Sequence, residues 1–172
     1  MFTRIKNQQP YESVTIEEVK DQLNLIGFDD DDIHLEMLIN VAYERAEGIT
    51  KRLLTTGTVE LITNQKCMFL PYGEVETVTS VEVAGNPVEF SFEPISQILN
   101  ITDGTVVDGI TEVKVTYDAG YDVDSLPHCA KMAILMIVST LYEHREDEVE
   151  TSLVRSPIAS IDLLSRIKIE GF

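Results

Sequence analysis

An α+β fold is expected for this chain, a helical bundle carrying an inserted antiparallel β subdomain, and three observations predict it. Apolar residues recur at helical spacing from Ile16 to Leu53 and again from Ala130 to Leu141. Between these stretches, from Gly57 to Tyr121, the period changes to two and Gly, Asn, Asp and Pro punctuate it as turns. Strands and helices are segregated along the chain rather than alternating, so a doubly wound parallel sheet is not expected.

The first helix starts at Thr15, where Thr15 and Glu18 have capping-box spacing: the hydroxyl satisfies a first-turn amide and the carboxylate reaches back to the cap. Ile16, Val19 and Leu23 make one stripe for burial, and the helix should run to about Leu25 and stop at Gly27. The second and longest helix follows the run Asp29 to Asp32, whose acids complement the positive end of the helix dipole. Leu35, Leu38, Ile39, Ala42, Ala46, Ile49 and Leu53 carry its repeat over about five turns. A calcium loop would need glycine at its sixth position, but counting from Asp29 that position is His34.

In the middle of the chain, Val59 and Leu61, then Val81 and Val83, then Val88, Phe90 and Phe92 alternate with polar residues, and Gly85-Asn86-Pro87 signals a hairpin. Further strands are expected at Ile98 to Ile101 and at Val113, Val115 and Tyr117, with Asp103-Gly104 and Asp108-Gly109 as turns. The third helix should start after Asp124-Ser125-Leu126-Pro127 and end near Glu143. Apolar residues cover nearly its whole circumference, which predicts burial all round, in the subunit core or against neighbouring subunits. Residues 143–150 hold five acids and one Arg and read as a solvated linker. Beyond them Ile161, Leu164, Arg166, Ile167 and Ile169 form a candidate docking arm; the alternative is a last helix packed on its own subunit.

Charge and chemistry narrow the function. Thirteen Lys and Arg against 30 Asp and Glu give a net charge of -17, with no basic stripe to displace counterions from phosphates, so sequence-specific DNA binding is excluded. A passive conduit is compatible with such charge, because a wall that repels phosphate lets a duplex slide. Cys67 and Cys129 have no CxxC partner and are expected to be buried, reduced thiols. His34, His128 and His144 lack metal-ligand spacing, and no GxSxG, GxGxxG or GxxxxGK[ST] sequence occurs. The expectation is a non-enzymatic protein without cofactor or metal. Residues 1–10 contain no signal-peptide core, and the apolar stretch Cys129 to Val138 is interrupted by Lys131 and too short for a bilayer, so a cytoplasmic origin and no membrane contact are expected.

Several phrases together resemble the head-tail connector, or adaptor, family of long-tailed bacteriophages. Val14-Thr15-Ile16-Glu17-Glu18-Val19-Lys20 with Leu23, then Asp31-Asp32 and a long helix, resembles the family's opening. Val115-Thr116-Tyr117-Asp118-Ala119-Gly120-Tyr121 is similar to its strand ending in an "aGY" turn. Leu126-Pro127 through Lys131, Ala133, Ile134, Leu141-Tyr142 and Arg145-Glu146 is similar to its closing helix. The β insertion is longer than in the smallest members, and the tail from 147 onward matches no motif.

The resemblance implies a structural subunit in the virion neck: a homo-oligomeric ring of about twelve copies closed by head-to-tail contacts. The ring would sit between the portal protein and the tail-completion or stopper proteins, with DNA passing through its channel unread. Leu38, Ala42 and Ile49 of the second helix and Ile134, Ile137 and Leu141 of the third are the candidate inter-subunit or core residues. The alternatives are another neck component, or an acidic DNA mimic that occupies a basic enzyme.

Overall fold

The computed structural model describes residues 1–104, 106–144 and 158–169, and most of the linker expected at 143–150 lies outside them. The fold is α+β, as expected, with four helices and two antiparallel sheets among the described residues. Its contacts divide into two units, one from Met1–Gln9 and Thr55–Tyr121, the other from Pro10–Leu54 and Asp122–Phe172.

The second unit is helical. Helix α1 (Ile16–Leu23) has the full capping box: the Glu18 N–H donates to Thr15 Oγ1 at 3.3 Å and the Thr15 N–H to Glu18 Oε2 at 3.1 Å. It ends earlier than the glycine suggests. Asn24 takes the left-handed conformation (φ 57°), the Leu25 N–H reaches the Lys20 carbonyl at 2.8 Å, and Gly27 belongs to the following turn.

Helix α2 (Asp32–Thr50) buries Leu35, Leu38, Ile39, Ala42, Tyr43 and Ala46. It stops at Lys51, which is also left-handed, so Leu53 is buried but stands beyond the helix rather than on it. The Tyr43 ring stacks on Tyr11 with centroids 4.2 Å apart. Glu47 joins the end of this helix to what flanks it, accepting from the Tyr11 hydroxyl at 3.2 Å and from the Leu54 N–H at 2.8 Å.

Helix α3 (His128–Glu143) packs against α1 and α2 through Ala130, Ala133, Ile134, Ile137 and Val138. Within one subunit the helix is not buried all round: Leu135, Met136 and Leu141 are half-buried and Met132 is 48% exposed, so of the two expected covers the subunit core supplies only part. An all-apolar sequence does not by itself supply neighbours on every side. Helix α4 (Ile158–Ser165) lies on α2 and α3 with Leu164 fully buried, and Ile169 beyond it donates its N–H to the Thr50 carbonyl at 2.9 Å.

The first unit is β. Strands β1 (Phe2–Gln8), β2 (Gly57–Thr63), β4 (Val75–Val83), β5 (Asn86–Pro87) and β8 (Val113–Ala119) form a five-stranded sheet in the order β1-β2-β8-β4-β5. Strands β3 (Cys67–Phe69), β7 (Ile98–Ile101) and β6 (Phe90–Glu93) form a three-stranded one. Val59, Leu61, Val113, Val115 and Tyr117 bury one face of the larger sheet, following the strand period. The Tyr117 hydroxyl donates to the Pro71 carbonyl at 3.0 Å, and burial pushes its phenol well above its usual range.

The β4–β5 hairpin turns on Ala84-Gly85, both at positive φ (49° and 81°), with Val83 opposite Asn86. β1 was not expected from the sequence. It pairs antiparallel with β2 across a bulge at Lys6, between the pairs Ile5 with Val59 and Asn7 with Thr58. Burial of Cys67 is corrected as well: it alternates with the buried Met68 on β3, so its free thiol faces outward, whereas Cys129 is half-buried.

Candidate assembly surfaces

Two surfaces present apolar side chains to solvent amid charge. On the helical unit, Ile33, Met37 and Val41 are spaced by four along α2 and are 84%, 53% and 42% exposed, on the face away from Leu35, Leu38 and Ile39. Ile26 and Phe28, in the connection that leads into α2, are exposed as well. The four aspartates around them are unequal. Lys20 Nζ holds Asp29 at 2.7 Å and Asp32 at 2.6 Å, contacts that raise the Lys20 ammonium above its usual range. Asp31 accepts from the Tyr142 hydroxyl at 2.6 Å. Asp30 is exposed and has no hydrogen-bond or ion-pair partner among the described residues.

The acids at the helix start therefore serve tertiary structure as well as the dipole, and Asp31, at the cap position, makes no side-chain capping bond. A second ion pair, Lys131 with Glu18 at 2.6 Å, joins α3 to α1. Burial raises the Glu18 carboxyl, but the Lys131 hydrogen bond and the Thr15 N–H outweigh it and hold it below the usual carboxylate range.

On the β unit the corresponding surface is the outer face of the sheet at β1. Phe2 stands opposite Ile62 and Arg4 opposite Glu60, so these four side chains share the face turned away from Val59 and Leu61. Phe2 is 66% exposed. The bulge aims Lys6 at Glu60 (2.6 Å), which Lys114 on β8 approaches at 2.7 Å from the other side. Lys114 first and then Lys6 hold the Glu60 carboxyl below its usual range. Two cations thus flank one acid, with Arg4 in register opposite it but not paired to it, and Glu82 on β4 stands beside Lys114 at the far side. β1 is also an unpaired sheet edge, whereas the other edge, β5, is two residues long and ends in Pro87.

The candidate residues read from sequence fall in several places. Leu38, Ala42, Ile134 and Ile137 are buried within the helical unit, while Ile49 and Leu141 are half-buried. In the tail, Leu164 and Ile169 are buried and Ile167 is half-buried, with the Arg52 guanidinium donating to the Ile167 carbonyl. Ile161 (41% exposed) and Arg166 face out. Sequence reasoning passed over Ile33, Met37 and Val41, although their spacing of four, out of phase with the Leu35 stripe, was a readable sign of a second apolar face.

Among the described residues no group of three or more His, Cys, Asp or Glu side chains could hold a metal ion. No described helix is long and apolar enough to cross a membrane.

No family model and no curated protein matches the sequence. Solved structures do share the fold. A chain from the neck of an empty gene transfer agent (GTA) particle, computed with C6 symmetry, is 18% identical with a TM-score of 0.76. A chain from the virion of the native GTA particle is 21% identical with a TM-score of 0.76. One from the neck of the native particle, computed with C12 symmetry, is 19% identical with a TM-score of 0.74. In each case the likeness covers 98% of this chain and 95% of the other, so it takes in both units and the order of their elements.

Proposed function

We propose that this chain is a structural, non-enzymatic subunit of the neck of a phage or phage-like particle, and within the neck an adaptor that forms a ring beneath the portal. The observation that carries the reading is the full-length likeness, at TM-scores of 0.74 to 0.76, to chains from GTA necks computed with C6 and C12 symmetry. The surface supports it. An acidic monomer with exposed Ile33 and Met37 on one unit and exposed Phe2 on the other has apolar area that equivalent copies arranged around an axis would cover.

In this reading about twelve copies close head to tail. The ring extends the DNA channel between portal and stopper without reading sequence, since about 200 negative charges repel the duplex from the wall. The outward side of α4 at Ile161, together with Arg166 just past its end, is the surface offered to the portal. Synthesis in the host cytoplasm and residence at the portal vertex follow from that place.

Negative-stain microscopy of the purified protein, alone and with its cognate portal, tests the proposal. A closed ring with a central hole that stacks on the portal is the expected image. A monomer that ignores the portal and binds a basic enzyme would overturn it in favour of an acidic DNA mimic.

A further inference from the structure

The two exposed patches complement each other in charge as well as in apolar character. The patch on α2 is acidic: Asp30 and Glu36 are exposed beside Ile33 and Met37, and Asp29 stays largely open while it holds Lys20. The patch at β1 is cationic on balance: Arg4 and Lys6 are exposed beside Phe2, the half-buried Glu60 on the same face is shared by Lys6 and Lys114, and Arg4 is left as the open charge. In a chain of net charge -17, a cationic apolar edge is the exception, and the surface that suits it best is another copy's acidic apolar one.

We infer that the β1 sheet face of one copy docks on the start of α2 of the next. Phe2 meets Ile33 and Met37 in this contact, and Arg4 pairs with Asp30. It is heterologous, joining two different surfaces of identical subunits, which is the kind that closes into a ring. The inference rests on the ring reading above and deepens it by naming the pair of surfaces. Arg4 and Asp30 suit the role because neither has an ion-pair partner among the described residues, so docking breaks no existing pair.

Sedimentation velocity of the full chain tests it with Arg4→Glu, Asp30→Arg and the double variant. If net charge alone governed association, Arg4→Glu would weaken it and Asp30→Arg would strengthen it. The pairing requires that each single change weaken the contact, by about fivefold for an exposed ion pair, and that the double variant recover. Ile33→Asp should abolish association. Both charged positions are exposed, so all three charge variants should melt with the wild type.

Wild-type rings unaffected by Arg4→Glu and Asp30→Arg, or a double variant that does not recover, would overturn the pairing and leave the ring standing. A wild type that shows no self-association at any concentration tested would overturn both.

Discussion

The Tyr142 hydroxyl, near the end of α3, donates to the Asp31 carboxylate at the start of α2 at 2.6 Å, tying together residues 111 positions apart. The bond sets the end of one helix against the beginning of another, and the tilted ring of His34 lies 6.3 Å from that of Tyr142. A hydrogen bond to a charged acceptor contributes about 1.5–3 kcal/mol where it is shielded and less where water competes. Tyr142 and Asp31 are both half-buried, so Tyr142→Phe should cost about 1 kcal/mol in urea unfolding, with an unchanged m value. Unaltered stability would show that water replaces the bond at no cost.

The tail separates into residues that hold the fold and residues left for a partner. Leu164 is fully buried against the helical unit, and the Leu→Ala change at such a site typically costs about 2–5 kcal/mol. Leu164→Ala should therefore lower the melting temperature. Truncation before α4 should do the same, because it uncovers α2 and α3. Ile161→Ser and Arg166→Glu, both at exposed positions, should leave stability within about 0.5 kcal/mol and weaken co-sedimentation with the portal. Undiminished portal binding by both variants would remove α4 as the docking face.

The acid limb of stability should report Glu60. Its carboxyl is held below the usual range by Lys114 and Lys6, so its contribution is fully present above the unfolded-state value, about 4.3, and is lost as pH falls through the folded value. Glu60→Gln should be less stable than wild type at pH 7, and the difference should close as the pH drops below about 4. Glu18, depressed by Lys131 and the Thr15 N–H, should behave in the same direction. A difference between wild type and Glu60→Gln that stays constant with pH would mean that the charge of Glu60 is immaterial.

Local chemistry made most elements readable. Thr15 and Glu18 announce α1 through a bond pattern confined to four residues, and the alternation from Val113 to Tyr117 marks β8 because one face is buried and the other is not. β1 was illegible because Phe2 and Ile5 are three apart among polar residues and so show no strand alternation, and its strand form comes from pairing with β2, 49 to 60 residues away. Helix ends misled for a related reason. Asn24 and Lys51 adopt positive φ without being glycine, held there by bonds to Lys20 and Glu47 that no single residue advertises. At the candidate site the aspartate run was visible, but its division of labour was not, since Lys20 and Tyr142 choose their partners only in three dimensions.

Charge also governs how the subunits should come together. Each copy carries -17, so neighbours repel over distances comparable with the Debye length, about 8–10 Å near physiological ionic strength. Added salt weakens two opposing effects: the diffuse repulsion among all the acids and the short-range attraction of a pair such as Arg4 with Asp30. The repulsion involves many more charges at longer range, while the apolar contact of Phe2 with Ile33 and Met37 is not screened at all. Raising NaCl from 0.05 M to 0.5 M should therefore strengthen self-association in the wild type. Rings that dissociate as salt rises would show that ion pairs, rather than buried apolar surface, hold the assembly together.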